Sequence, residues 1–360
     1  SAGPGGRHDP QGRRAAAEGG HRAAIEGVAG SGKTLLAKAQ AQHFADQGLK
    51  TLFLCYNKSL AGWLRDSLSP ELRQSIHVHH FHGLCSEWCR RARMSFRPPV
   101  DGAGEFWRHE AAELLWEAIE ALDERYDAVV VDEAQDFFPD WWDPIELING
   151  GGNEGRLYVF YDPAQNLYNE HGISIPALGR PYSLPTNCRN TQAIARTCGE
   201  ILDREIRIRP GAPHGVETEM RFEVEDGEAI AALNGWVKDW VKRQGVKQSQ
   251  IAVLSPFRRA NSCLANRTHF AGITITEDLD EWQDDAGVLF STIRSFKGLE
   301  SDIVVLVDVV EPGTNKAFSR SDFYVACSRA KHLLKVLAKV PESRLLDESA
   351  KSGRIRGVPR

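Results

Sequence analysis

The sequence predicts an α/β protein of two units, each a parallel sheet covered by helices. Three observations carry that expectation. Short apolar runs of strand length alternate with helical patterns; one strand runs directly into a Gly-rich loop ending in Gly-Lys-Thr; and the alternation starts again past a Gly- and Pro-rich interruption at residues 179–185.

In chain order, residues 1–20 are rich in Gly, Ala and Arg and read as a flexible lead. Strands are expected at 23–26, 51–55, 128–131 and 157–160, and a second set at 220–224, 251–254 and 303–307. Their near-continuous apolar character suits strands buried on both faces. Residues 105–124 place Phe106, Ala111, Leu114, Leu115, Ala118, Ile119 and Leu122 three and four apart, a stripe that packs a helix on a sheet. Residues 227–243, with Ile230, Leu233, Val237 and Val241, form the helix of a βαβ crossover. The resulting division is a lead (1–20), a first unit (21–180), a second unit (181–345) and a polar tail (346–360) carrying Lys351, Arg354, Arg356 and Arg360.

At 360 residues the chain exceeds one ordinary core, and 42% hydrophobic with 26% charged residues excludes wholesale disorder and fibrous repeats. A net charge of −5 means that any polyanion must be held in a local groove. Seven scattered cysteines do not make a disulfide framework, so reduced thiols are expected. No apolar run is long enough to span a bilayer or to act as a signal peptide, and a cytoplasmic location without membrane partners is expected.

Gly27-Val-Ala-Gly30-Ser31-Gly32-Lys33-Thr34 fits G-x-x-x-x-G-K-[ST] between an apolar strand and an Ala-rich helix. Glycines let such a loop curl so that backbone N–H groups face a phosphate, and the helix N-terminus adds its dipole. Lys33 is expected to reach the β- and γ-phosphates and the Thr34 hydroxyl to ligate Mg²⁺. Downstream, Val129-Val130-Val131-Asp132-Glu133-Ala134-Gln135-Asp136 ends a buried strand in acids. A parallel strand's C-terminal end is where α/β sheets hold ligands, so Asp132 is expected to hold Mg²⁺ and Glu133 to activate water. Triphosphate hydrolysis follows as the expected chemistry.

Further blocks in the same order make the chain resemble a superfamily 1 helicase of the UvrD/Rep type. Tyr56-Asn57-Lys58 and Phe81-His82-Gly83-Leu84 come first; then Tyr161-Asp162-Pro163-Ala164-Gln165-Asn166-Leu167-Tyr168 is similar to GDxxQxIY, and LPTNCRNT (184–191) to LxxNYRST. TIRSFKGLE (292–300) resembles TxHxAKGLE, and YVACSRA (324–330) resembles YVAxTRA. The resemblance implies two RecA-like P-loop domains that bind Mg-ATP at a cleft between them and move on single-stranded DNA, 3′ to 5′. It implies that Gln165 senses the γ-phosphate, that Arg189 and Arg329 act as arginine fingers, and that Gly298 and Glu300 sit near the nucleotide. Tyr56, Asn57, Lys58, Phe81, His82, Tyr168 and Arg294 would contact nucleic acid.

The sequence departs from that pattern in several places. The aromatic of NYR is Cys188, the leading Gly of GDxxQ is Tyr161, the His of TxHxAKGLE is Arg294, and Gln11 stands where the adenine-reading Gln is expected, one position early. The stretches from Leu84 to Asp132 and from Arg189 to Thr292 are too short for the family's accessory subdomains. An alternative therefore stands beside the motor: a nucleotide-gated binding switch acting on a nuclease or other partner domain. A small-molecule P-loop kinase is a third reading, which would not need the second-unit arginines.

His77, His79, His80, His82, Cys85 and Cys89 match no regular zinc spacing, and Cys85 and Cys89, a helical turn apart, are expected to pack inward. Of the adjacent Trp141 and Trp142, one is expected in the core and one partly exposed.

Overall fold

The computed structural model describes residues 21–99, 103–151, 155–167 and 173–346. The chain divides into two compact units between Pro185 and Thr186. The expected lead and nearly all of the basic tail, with Gln11 and Tyr168, lie outside the described residues.

In the first unit, six strands form a wholly parallel sheet: β1 (Arg22–Gly27), β2 (Thr51–Cys55), β3 (Ile76–His80), β4 (Ala128–Val131), β5 (Arg156–Tyr161) and β6 (Tyr182–Leu184), in the order β3-β2-β4-β5-β1-β6. Period-two alternation feeds two cores at once. Ala24, Leu52, Leu54, Val129 and Val131 pack on one face, while Ile25, Phe53, Val130 and Phe160 pack on the other. The helices α1 (Lys33–Asp46) and α2 (Lys58–Asp66) cover the second face; α3 (Phe81–Arg91), α4 (Ala111–Leu122) and α5 (Trp142–Ile148) cover the first. The helix expected over 105–124 is broken: Phe106–Glu110 is one wide π-helical turn, and the regular helix starts at Ala111. Tyr182–Leu184, at the interruption, closes the edge of this sheet beside β1.

In the second unit, β7 (Thr186–Asn187) and β8 (Arg207–Ile208) form a short parallel ribbon flanking α6 (Gln192–Leu202). Then come β9 (Glu219–Arg221), α7 (Asp226–Lys238), β10 (Ile251–Ser255), β11 (His269–Phe270), β12 (Ile273–Thr276), β13 (Val288–Thr292), β14 (Ser301–Val309), α8 (Arg320–Ser328) and β15 (Ala330–Ala338). The sheet order is β11-β12-β13-β10-β14-β15-β9, parallel except for β11 with β12. The strand expected at 220–224 is shorter, sits at the sheet edge and pairs with β15. The helix expected over 227–243 ends at Lys238 and continues as a π-helical turn, Asp239–Arg243.

Among the described residues no helix is long and apolar enough to cross a membrane.

Candidate nucleotide site

At the end of β1 the chain curls through Gly27–Gly32 into α1. Gly30 and Gly32 have φ of 71° and 91°, in the left-handed region where a side chain is strained. Gly27 is crowded: a Cβ there would lie 2.5 Å from the Ser31 Oγ and 3.0 Å from the Leu184 Cβ. Gly32 caps α1 without any side-chain hydrogen bond, so the first-turn N–H groups keep their capacity for an anion.

Lys33 opens that helix with a side chain only 6% exposed; its Nζ donates to the carbonyls of Gly27 (2.9 Å) and Val28 (3.1 Å) and lies 3.7 Å from the Asp162 Oδ2. Asp162 follows β5 and caps the short turn Pro163–Gln165, its Oδ1 accepting from the Ala164 N–H. The Gln165 Nε2 donates to Asp162 Oδ2 (2.6 Å), and the Asp162 N–H donates to the Gln135 Oε1 (3.0 Å). Gln135 in turn donates to Glu133. Lys33, Gln165, Glu133 and Gln135 are thereby joined through Asp162, a residue that sequence reasoning quoted within a block and gave no role. Its aspartate-then-proline turn at a strand end was the available signal; the links to Lys33 and Gln135 form only on folding.

Asp132 follows β4, completely buried, and neither of its carboxylate oxygens has a hydrogen-bond partner; the Ser31 hydroxyl is likewise buried and unpartnered. Burial, reinforced by the neighbouring Glu133, pushes the Asp132 carboxyl up to about 7, against the opposing pull of the Thr34 hydroxyl and Lys33. A buried carboxylate kept without a partner beside a threonine hydroxyl is a donor set suited to a hard, oxygen-seeking cation. Glu133 sits at φ 55°, a left-handed backbone held by a residue that is not glycine.

The second unit gathers a separate set. Asn187 accepts from the N–H groups of Arg189 (2.9 Å) and Asn190 (3.1 Å), turning the chain so that Arg189 Nε meets the Glu300 carboxylate at 2.7 Å. Asn190, 2% exposed, donates to the carbonyls of Ser328 (3.1 Å) and Ala330. Those two carbonyls bracket Arg329, so Asn190 joins segments that lie far apart in sequence. Arg329 is 3% exposed, and its guanidinium bonds the Val325 carbonyl (3.1 Å) and the Ser328 hydroxyl (3.0 Å). Burial opposes ionisation of Glu300, but Arg189, Lys331 and Arg329 outweigh it and hold its carboxyl below the usual range. Gly298, at φ 87°, makes the turn that leads to Glu300.

The residues expected to touch nucleic acid are placed variously. Asn57 caps α2 through its Oδ1 (2.8 Å to the Ser59 N–H), and Lys58 is exposed beside it. Phe81 is buried, stacked on Trp141 with centroids 3.9 Å apart and planes 6° from parallel, and Tyr56 stacks on the same indole. Both rings are thus occupied by the core. Trp141 and Trp142 are both buried, because each indole N–H reaches a carbonyl, of Arg108 and Ser174. His82 bonds the Trp107 carbonyl (3.0 Å), and Arg294 pairs with the buried Asp322 (3.0 Å). His80 caps α3, accepting from the Gly83 N–H, and His77 meets the Tyr126 hydroxyl; Cys85 and Cys89 are buried. Among the described residues no three His, Cys, Asp or Glu side chains are grouped to hold a metal.

Residues 287–337, β13 through most of β15, match the UvrD-like helicase C-terminal domain. No curated protein matches the chain. Similar solved structures are "The structure of PRRSV helicase" (16% identity, TM-score 0.46, 88% of this chain and 52% of that one) and the arterivirus nonstructural protein 10 helicase in complex with DNA (15%, 0.43, 93% and 64%). The chain spans about half to two thirds of the length of these structures. The matched segment carries the Thr292–Glu300 and Arg329 blocks, so this part of the second unit is similar to the UvrD-like helicase C-terminal domain.

Proposed function

We propose that the chain hydrolyses ATP with Mg²⁺ and uses the cycle to move 3′ to 5′ along single-stranded DNA. One observation carries the hydrolytic part: Lys33, buried across the phosphate loop, shares a corner with an orphaned Asp132 and an orphaned Ser31 hydroxyl. Thr34 and Asp132 would hold the metal, which when bound would supply positive charge to the phosphates. Gly27, Gly30, Ser31 and Gly32 shape the loop whose N–H groups receive the phosphates. Glu133 orients and deprotonates the attacking water, held in place by Gln135. Gln165, tied to Asp162 and through it to Lys33, reports the γ-phosphate to the rest of the first unit. Arg189 and Arg329 supply positive charge to the transition state, with Gly298 and Glu300 setting the position of Arg189. Lys58, His82 and Arg294 are proposed contacts to the strand.

The test is nucleotide hydrolysis with and without a single strand. Strong stimulation by oligo(dT), abolished in Lys33→Ala and Glu133→Gln, supports the proposal; hydrolysis indifferent to nucleic acid overturns it. The burial of Phe81 and the stacking of Tyr56 on Trp141 favour a second reading, a nucleotide-gated switch that grips a strand without moving on it. Displacement of streptavidin from a biotinylated strand end separates the two: movement requires displacement from one end only, and the switch gives none.

A further inference from the structure

Beyond His82, the first unit carries a strip of cationic and aromatic side chains that none of the helicase blocks includes. The end of α3 and the segment after it read Arg90-Arg-Ala-Arg93-Met-Ser-Phe96-Arg97, with no acid among them. Arg91 pairs with Glu124, but Arg90, Arg93 and Arg97 are exposed, and among the described residues their guanidinium groups make no hydrogen bond or ion pair. Three uncompensated charges this close in a chain of net charge −5 repel one another unless an anion lies across them. Phe96 between them packs edge-on against Phe106 (5.2 Å) and Trp107 (5.9 Å), and Trp107, partly exposed, lies 4.6 Å from the His82 ring. Glu105 and Asp140, near the same turn, are engaged with His109.

We propose that this strip is an extension of the nucleic-acid interface: Arg90, Arg93 and Arg97 bind the phosphodiester backbone of the strand, and Trp107 offers a stacking face for a base. The inference rests on the proposed action on single-stranded nucleic acid. Charge complementarity selects the occupant, since a strand presents a phosphate at every nucleotide and a π-face between them, the two chemistries that the strip alternates. It also supplies a platform where Phe81 and Tyr56 do not.

The experiment is binding of fluorescein-labelled oligo(dT) to the full chain by anisotropy across a salt series, for the wild type, for Arg90→Ala/Arg93→Ala/Arg97→Ala, and for Trp107→Ala and Trp107→Phe. The triple variant, with an unchanged unfolding midpoint, is expected to lose about 2 from the slope of log K against log salt, three contacts at roughly 0.7 each. The loss should be the same for oligo(dT) and mixed sequences. Trp107→Ala should weaken binding at least about fivefold and Trp107→Phe should restore most of it. A triple variant with the wild-type slope and affinity overturns the strip alone. A wild-type chain that binds no strand overturns both the strip and the function on which it rests.

Discussion

A carboxylate stripped of water and left without a partner works against folding, and Asp132 is kept in that state. An asparagine of the same shape has no charge to desolvate. Asp132→Asn is therefore expected to raise the unfolding midpoint of the nucleotide- and metal-free protein at pH 8, where the buried carboxyl is ionised, while abolishing Mg²⁺-dependent hydrolysis. The gain should be on the order of 1–3 kcal/mol, or a few degrees for a unit of this size. A variant that melts at or below the wild type would show that the fold already compensates the charge. Lys33, Thr34, Asp132 and Glu133 were legible in the sequence because their spacing is local: one loop and one strand end bring each to the same edge. Asp162 was not. Its partners Lys33 and Gln135 lie on the segments that follow β1 and β4, the strands on either side of β5, and that adjacency is a property of the sheet order. The burial of Phe81 was illegible for the same reason, since an aromatic in a recognisable block and an aromatic in a core have the same letters until their neighbours are known.

Strands with an apolar run at their centre, such as β1, β4, β5 and β14, were legible even where polar residues lengthen their ends, whereas β3, with histidines through its length, was not. β3 is Ile-His-Val-His-His, an edge strand with one half-open face, and its histidines drew attention as a cluster instead of as alternation. β13 and β15 carry Ser, Thr, Lys and His in the same way, although β15 is nine residues long. The π-helical turn at 106–110, within the helix expected over 105–124, also escapes periodicity, because the apolar stripe runs through it unchanged. The linkage between α6, α8 and β15 is where the element scale makes a prediction. Asn190, just before α6, is buried and donates to the carbonyls on both sides of Arg329. Asn190→Ala leaves those carbonyls unpaired and is expected to destabilise the protein by about 1–3 kcal/mol. Asn190→Asp should cost more, because a carboxylate would face two acceptors. Chemical denaturation of the two variants checks this order, and an aspartate variant as stable as the alanine one would mean that Asn190 only fills space. Both should also depress turnover, since the segment that presents Arg189 is no longer pinned.

At the scale of the whole molecule, one unit carries the lysine, the acids and the glutamine, while the other carries two arginines held by Glu300 and by the end of α8. On the proposed mechanism, ground-state phosphate binding needs only the first set, and transition-state charge calls for the second. The two functions can therefore be separated by mutation. Arg189→Ala should leave the affinity for a fluorescent ATP analogue within about threefold of the wild type and lower kcat by at least about a hundredfold, the pattern of an interaction made only in the transition state. Arg329 is buried, and its guanidinium also bonds Val325 and Ser328, so its truncation adds a packing defect to the lost charge. Arg329→Lys keeps the charge and shortens the reach, and it should lose rate while retaining more of the wild-type unfolding midpoint than Arg329→Ala. Lys33→Ala provides the contrast, losing nucleotide affinity and rate together. If Arg189→Ala and Arg329→Lys both hydrolyse ATP at the wild-type rate, the second unit takes no part in the chemistry. The protein would then be a single-unit ATPase, and the motor reading would fail however well the phosphate loop binds.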